Sequence, residues 1–274
     1  MTRVLIIGSS HIGALKNAEG AFADAHPDIT VDFFGMRGPA FLKGQMNAEG
    51  VFHPHAKNDA DRDLILKANG MAEVATASYD RVVLIGHRFG FNEVAGMLEH
   101  HDVLGFDSAG HGQALEPGLL EDVIDTMIDV TFPALMAALA PAARPMIIAL
   151  APYPAQSITA RAPQMEMARE LAAFWAHPAA DAVFEMWQTA LRSRIAAAGH
   201  EWLEQPADTV AGPFATEPRF AKAPGNFDGS AMKASDHRHM NAEYGLAVLT
   251  ALVHRLKTTG APTSTAPTLI KERI

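Results

Sequence analysis

The chain has 274 residues, with 22 Lys and Arg against 31 Asp and Glu, so its formal net charge is −9 at pH 7. Hydrophobic residues make up 49% of it, which is enough for a large core and excludes general disorder. The acidic balance argues against nucleic-acid binding, which requires a basic face. The chain has no Cys, so disulfides, thiolate metal sites and a Cys nucleophile are excluded.

Two features argue against membrane insertion and secretion. No stretch approaches about 20 consecutive apolar residues, the length needed to cross a bilayer. The first apolar run, Val4-Leu5-Ile6-Ile7, is too short for a secretory signal. We therefore expect a cytoplasmic protein with no membrane partner. The sequence does not indicate the oligomeric state.

Short apolar runs that end in glycine or proline alternate with helical patterns along the chain. Four of them, at 4–7, 29–34, 81–85 and 145–150, have the composition of buried strands, and 201–204 is a weaker fifth. This alternation predicts a three-layer α/β/α fold around a central, mostly parallel five-stranded sheet. In such sheets ligands bind beyond the carboxyl ends of the strands.

The helical patterns set the expected domain organisation. We predict a long helix at 119–139 that bends at Pro133, a second at 162–198 that breaks near His177-Pro178, and a last one beginning near Asn241. Residues 1–257 are expected to form one domain with an irregular insertion at 98–117. We expect 258–274 to be a loosely ordered tail.

The first strand ends in Gly8-Ser9-Ser10-His11 and leads into a helix. A serine there lies at the ligand edge of the sheet, where the backbone donors of a helix N-terminus favour negative charge. The hydroxyl of Ser10 can therefore serve as a nucleophile. It can equally be a helix cap, a role that serine often takes.

A second motif, Asp236-His237-Arg238-His239, precedes the last helix. A serine nucleophile needs a base, and neutral imidazole, with an ordinary pKa of about 6.5, can accept its proton. A carboxylate one turn away can fix the imidazole tautomer. In a chain with 13 His, the same pattern can also arise by chance in a solvated loop.

Together the two motifs resemble those of the SGNH hydrolases, the GDSL-type esterases and lipases. Ser10 matches the nucleophile of that family, with Ser9 in place of its usual Asp, and Asp236-x-x-His239 matches its acid and base. His237 is a competing base by proximity, but only His239 has the family spacing. The order of the elements is similar over nearly the whole chain, whereas only the two terminal motifs are specific.

The resemblance implies an oxyanion hole with three donors: the nucleophile's N–H, a Gly after the second strand and an Asn after the third. Gly35 is the first candidate for the Gly and Gly38 the second. Arg88 occupies the Asn position, and Asn92 can replace that Asn only if the loop folds back. Loss of one such donor costs roughly 3 kcal/mol of transition-state stabilisation.

These residues predict a serine esterase that cleaves a small ester, with an acyl or O-acetyl group such as one carried by a carbohydrate. His11 and Arg88 are candidate substrate-binding residues, although Arg88 can equally be a surface charge. The alternatives are a weak or inactive protein that binds a sugar or acyl ligand, and an O-acyltransferase with the same residues. The sequence contains no defined metal or nucleotide motif, so we expect no metal and no cofactor.

Overall fold

At the centre of the molecule is a five-stranded sheet in the order β2-β1-β3-β4-β5, in which every neighbouring pair is parallel. The computed structural model describes residues 1–142, 144–221 and 236–259. The predicted α/β class and five-stranded sheet are confirmed. The strands are β1 (Thr2–Gly8), β2 (Ile29–Gly35), β3 (Arg81–His87), β4 (Ile147–Leu150) and β5 (Glu201–Leu203).

Helices cover both faces of this sheet because its inner strands are apolar on both sides. In β1, Val4 and Ile6 join one hydrophobic cluster while Leu5 and Ile7 join the other. One face carries α1 (Ile12–Asn17), α2 (Glu19–Ala25) and α10 (Ala242–Thr259). The other carries α3 (Gly38–Leu42), α4 (Asp59–Asn69), α5 (Phe91–Met97), α6 (Pro117–Asp129), α7 (Phe132–Leu139), α8 (Glu166–Ala176) and α9 (Ala180–Ala197).

The connections between these elements contain short strands that form three small additional sheets. The segment expected to be an irregular insertion lies between α5 and α6 and contains one parallel two-stranded ladder. A three-stranded antiparallel sheet follows α3, and a two-stranded one follows β5. These strands are Gln45–Met46, Val51–His53, Val74–Ala75, Asp102–Val103, Ala114–Leu115, Val210–Gly212 and Ala215–Thr216.

The helix at 119–139 is interrupted rather than bent. α6 ends at Asp129, and Pro133 lies in the first turn of α7, where a missing N–H leaves no helical hydrogen bond unmade. The predicted break near His177 is confirmed between α8 and α9. Thr258 and Thr259 are the last residues of α10, and the rest of the predicted tail lies outside the described residues.

The segment Pro117–Ala142 is long and apolar enough, by length and composition, to cross a membrane. It is nevertheless divided into α6 and α7. In α6 one row of three apolar side chains is buried in the core, whereas Leu119 and four carboxylates are exposed. This is the pattern of an amphipathic helix that packs on a core. The buried residues are Leu120, Ile124 and Ile128, and the exposed acids are Glu121, Asp122, Asp125 and Asp129.

α1 and α10 approach each other so closely that their backbones touch at Gly245. A Cβ atom at this position would lie 2.0 Å from the carbonyl oxygen of Ala14 and 2.8 Å from the nitrogen of Leu15. Glycine weakens a helix by about 1 kcal/mol relative to alanine. Its presence inside α10 is therefore explained by this contact rather than by helix propensity.

We predict that Gly245→Ala lowers the free energy of unfolding by about 1–3 kcal/mol, the usual cost of overpacking, because the clash is with backbone atoms that cannot rotate away. The matched control is Gly20→Ala in α2, where a Cβ would meet nothing within 4 Å. The control should gain about 0.5–1 kcal/mol. Urea denaturation followed by circular dichroism measures both, and equal effects in the two helices would contradict the explanation.

Candidate active site

The loops that follow β1 and β3 meet at the carboxyl edge of the sheet. β1 lies between β2 and β3, so the chain order reverses there, and such a reversal opens a crevice for ligands. Gly86 has φ 134°, and a Cβ atom on it would lie 2.4 Å from Ser9 Oγ. The loop that carries Ser10 therefore packs directly against the end of β3.

Ser10, His239 and Asp236 form a continuous hydrogen-bonded chain in this crevice. Ser10 Oγ lies 2.8 Å from His239 Nε2, and His239 Nδ1 lies 2.7 Å from Asp236 Oδ2. An ionised carboxylate only accepts hydrogen bonds, so Nδ1 carries the proton. Nε2 is then left with the lone pair that can accept the hydroxyl proton of Ser10.

The carboxylate of Asp236 is held in its ionised form. Its Oδ1 accepts hydrogen bonds from the backbone N–H groups of Arg238, at 3.0 Å, and His239, at 3.1 Å. Burial raises the pKa of Asp236, but the hydrogen bonds from His239 and from the Arg238 backbone outweigh it and hold the pKa well below its usual value. The group therefore remains a carboxylate at any pH near neutrality.

His237 contacts a different serine. Its Nδ1 lies 2.9 Å from Ser157 Oγ, and its carbonyl oxygen accepts a 2.8 Å hydrogen bond from the N–H of Ala155. These contacts tie the Asp236–His239 segment to the loop after β4. The structure thus places His239, and not His237, against Ser10. Sequence reasoning missed Ser157, which no motif marks.

Of the two glycines considered for the oxyanion hole, Gly35 has its amide occupied. Its N–H donates to Asn69 Oδ1 at 2.8 Å, and Asn69 Nδ2 donates back to its carbonyl oxygen. The amide of Gly38, the first residue of α3, has no acceptor among the described residues, as is usual for the first turn of a helix. The N–H of Ser10 is likewise without an acceptor there. Ser10 and Gly38 therefore retain free donors, whereas Gly35 does not.

Asn92 and Arg88 are bonded to each other rather than to the triad. Arg88 Nη1 donates a long, 3.5 Å hydrogen bond to Asn92 Oδ1, and Arg88 Nη2 donates to the carbonyl oxygen of Pro152 at 3.2 Å. Asn92 lies in the first turn of α5. In the described part of the chain it makes no hydrogen bond to Ser10 or His239.

His11 packs directly on the histidine of the triad. Its ring stacks on that of His239 at a centroid distance of 4.8 Å, and its Nδ1 is buried without a hydrogen-bond partner among the described residues. Burial, and next the positive charge of Arg88, lower the pKa of His11 well below its ordinary value. The ring is therefore neutral near pH 7 and acts as an uncharged wall of the site.

A network of hydrogen bonds around Gln205 connects the elements next to the site, and no sequence motif predicted it. Gln205 Oε1 accepts hydrogen bonds from the Tyr153 N–H at 3.0 Å and from the Tyr244 hydroxyl at 3.1 Å. Its Nε2 donates to Thr216 Oγ1 at 2.9 Å, and that hydroxyl donates to the Tyr153 carbonyl at 2.7 Å. The network joins the segment after β4 to α10, which follows the His239 loop.

A second group of titratable residues lies in the 98–117 segment and beside it. Asp102, His111 and His177 have potential metal-ligand atoms within 4.8 Å of one another. However, the N–H of Ala179 donates to His177 Nδ1 at 3.0 Å, so neutral His177 carries its proton on Nε2. That nitrogen then has no lone pair for a cation. The cluster does not fit a metal without loss of this hydrogen bond.

Comparisons with known proteins show only distant similarity. No protein-family model matches the chain, and no curated protein matches it either. Among solved structures, a GDSL-like lipase from Bacteroides thetaiotaomicron has 14% identity and a TM-score of 0.35, with 94% of this chain and 89% of that chain covered. An extracellular lipase from Streptomyces rimosus has 11% identity and a TM-score of 0.40, with coverages of 93% and 99%.

A third solved structure is the periplasmic domain of a lipopolysaccharide acetyltransferase from Salmonella Paratyphi A. It has 12% identity and a TM-score of 0.41, with 93% of this chain and 83% of that chain covered. At this level of similarity the matches carry no argument about chemistry, which depends on the contacts described above.

His87, the last residue of β3, is a buried histidine beside this crevice. It is 5% exposed, lies against the rings of Phe41 and Phe89, and its Nε2 has no partner among the described residues. Burial lowers the pKa of His87 to about 4. An unfolded histidine titrates near 6.5, so between these two pH values the unfolded chain binds the proton and the folded chain does not.

Stability should therefore be greatest above pH 6.5 and fall as the pH drops towards 4, with His87 contributing roughly 3 kcal/mol of that fall. We predict that His87→Leu removes this contribution and flattens the dependence of the unfolding free energy on pH. Urea denaturation at pH 7, 5.5 and 4.5 measures the effect. His254→Gln, at an exposed position of α10, should keep the wild-type slope, and an unchanged slope in His87→Leu would contradict the prediction.

Proposed function

We propose that the chain is a serine hydrolase that cleaves an ester through an acyl-enzyme on Ser10. The observation that carries this proposal is the hydrogen bond between Ser10 Oγ and His239 Nε2, at 2.8 Å, backed by Asp236. A nucleophile, a base and an orienting carboxylate in contact are the requirements for activating serine. The resemblance to SGNH hydrolases supports the same assignment.

In the first half of the reaction, His239 Nε2 accepts the hydroxyl proton as Ser10 Oγ attacks the carbonyl carbon. The ionised Asp236 stabilises the imidazolium that forms. The amides of Ser10 and Gly38 are the proposed donors to the oxyanion, each worth roughly 3 kcal/mol. The imidazolium then gives its proton to the leaving alkoxide, and the C–O bond breaks.

In the second half, His239 removes a proton from water as the water oxygen attacks the acyl carbon. The imidazolium then returns that proton to Ser10 Oγ as the bond between Oγ and the acyl carbon breaks. An alcohol in place of water would give acyl transfer with the same residues, so the O-acyltransferase alternative remains open. The ligand-binding alternative has less support, because binding alone does not require a hydrogen-bonded carboxylate behind the imidazole.

The substrate is proposed to be a small molecule. A cavity of about 300 Å³ lies at the carboxyl end of β2, with Met36 and Arg37 in its wall, although none of the three triad residues lines it. The N–H of Met36 donates to the carbonyl oxygen of Gly8 at 3.1 Å, two residues before Ser10, so the cavity lies on the same edge of the sheet. A cytoplasmic location and action without a cofactor remain predictions.

Ser10→Ala should lower kcat for 4-nitrophenyl acetate by roughly 10⁴-fold or more, because it removes the nucleophile. It should also abolish labelling by a fluorophosphonate probe. The matched control is Ser9→Ala, since Ser9 Oγ is buried without a hydrogen-bond partner among the described residues and its loss removes no hydrogen bond there. Wild-type turnover by Ser10→Ala, with the fold intact by circular dichroism, would exclude Ser10 as the nucleophile.

Asp236→Asn should lower kcat by roughly 10³–10⁴-fold. The amide can donate to His239 Nδ1, which favours the tautomer with its proton on Nε2, and that tautomer cannot accept the proton of Ser10. Steady-state kinetics with 4-nitrophenyl acetate measures kcat and KM. Asp28→Asn is the control, since Asp28 is exposed and precedes β2 at the opposite edge of the sheet. A kcat for Asp236→Asn equal to that of the control would refute the proposed role.

A further inference from the structure

Arg88 lies among the loops that carry the proposed triad. It directly follows β3 at the crevice, and its Nη2 donates to the carbonyl oxygen of Pro152 at 3.2 Å. The same segment after β4 continues to Ala155, whose N–H donates to the carbonyl oxygen of His237 at 2.8 Å. The partly buried guanidinium therefore faces the same edge of the sheet as Ser10.

Arg88 makes no ion pair with any carboxylate in the described part of the chain, unlike Arg169 and Arg255, which pair with Glu99 and Glu201. Its contacts are a carbonyl oxygen, an amide oxygen and the ring of Phe214, whose centroid lies 5.8 Å from its Cζ. These groups solvate the charge without neutralising it. Charges removed from solvent are normally paired, and this partly buried guanidinium has no carboxylate partner among the described residues.

The other charged groups act on Arg88 only from a distance. Arg238 repels it, whereas Tyr244 and then Glu93, which lies beyond ion-pair distance, raise its pKa. Burial, followed by repulsion from Arg238, lowers the pKa of Arg88 to about 10. Arg88 therefore keeps its charge at neutral pH in a site whose own carboxylate, Asp236, is already bonded to His239.

We propose that Arg88 is a specificity residue that binds a carboxylate group of the substrate, so that the enzyme prefers esters with a negative charge close to the scissile bond. This inference rests on the proposed hydrolase function. A guanidinium has five N–H donors in a planar fork that matches a carboxylate. Two of them serve Asn92 and Pro152, and the remaining three can bind the substrate. Charge-assisted hydrogen bonds of this kind change affinity by about ten- to hundredfold.

A competing role for Arg88 is to replace the oxyanion donor that the resemblance implies at its position. The two roles differ in what they change. A carboxylate-binding residue acts mainly on KM and only for charged substrates. An oxyanion donor acts on kcat and equally for charged and neutral substrates.

The test compares two pairs of esters matched in size. The first pair, 4-acetoxybenzoate and methyl 4-acetoxybenzoate, places or removes a carboxylate on the alcohol side. The second, monophenyl adipate and methyl phenyl adipate, does so on the acyl side. Wild type, Arg88→Met and Arg88→Lys are compared. The control is Arg81→Gln, which removes one positive charge from the first residue of the same strand, at the opposite edge of the sheet.

We expect wild type and Arg81→Gln to prefer the charged member of at least one pair by about tenfold or more in kcat/KM. Arg88→Met should bring that ratio close to one, mainly through KM, and Arg88→Lys should retain part of it. The pair that shows the preference identifies which side of the ester carries the carboxylate.

Three results would overturn the inference: equal rates on charged and neutral esters in wild type, an unchanged preference in Arg88→Met, or an equal loss of kcat on both members of a pair. Failure of the hydrolase proposal would differ from all three, because no ester would then be cleaved and Ser10 would not be labelled by a fluorophosphonate. In that case the binding of 4-hydroxybenzoate and of its methyl ester, measured by calorimetry, tests whether Arg88 binds a carboxylate. Binding of the carboxylate that Arg88→Met abolishes supports the inference, and no such binding refutes it.

Discussion

The backbone contact between α1 and α10 at Gly245 is the constraint on which the site depends. Ser10 and His239 are separated by 229 positions in the chain. α1 begins two residues after Ser10, and α10 begins three residues after His239. Packing these two helices side by side therefore brings both residues to one edge of the sheet. The distance between hydroxyl and imidazole is set by two packed helices rather than by loops alone, which is the arrangement that catalysis by positioning requires.

The sequence predicted the parts of this protein that depend on local patterns. Buried parallel strands are apolar on both faces, so each one forms a continuous hydrophobic run in the sequence. The positions of the strands along the chain could therefore be predicted. The contact of Asp236 with His239 spans three residues, so its spacing was visible as well. The sequence alone does not distinguish a proline inside a helix from a proline in the first turn of a new helix, so the bend predicted at Pro133 was wrong. The structure shows that a second helix, α7, begins there.

The features that the sequence could not supply depend on side-chain contacts between distant elements. The amide of Gly35 is occupied because Asn69, in a helix 34 residues further along, reaches back to it. Gln205 bonds to Tyr153 and Tyr244 because three separate elements converge beneath the site. No periodicity or motif encodes such contacts, because each depends on the packing of helices against the sheet. They decide which donors remain available for chemistry.

The backbone of the loop after β3 is held in an uncommon conformation by its surroundings. Phe89 has φ 45°, an uncommon conformation for a bulky residue, and Trp187 Nε1 donates to its carbonyl oxygen at 3.1 Å. Gly90 is needed next to it, since a Cβ there would lie 2.5 Å from the carbonyl oxygen of Met127. Backbone strain of this kind persists only where the surroundings fix it. Arg88 is thus held next to a rigid turn on one side of the crevice while α1 fixes Ser10 on the other. The guanidinium is therefore a constrained part of the crevice, held by Pro152 and Asn92 rather than by a carboxylate among the described residues.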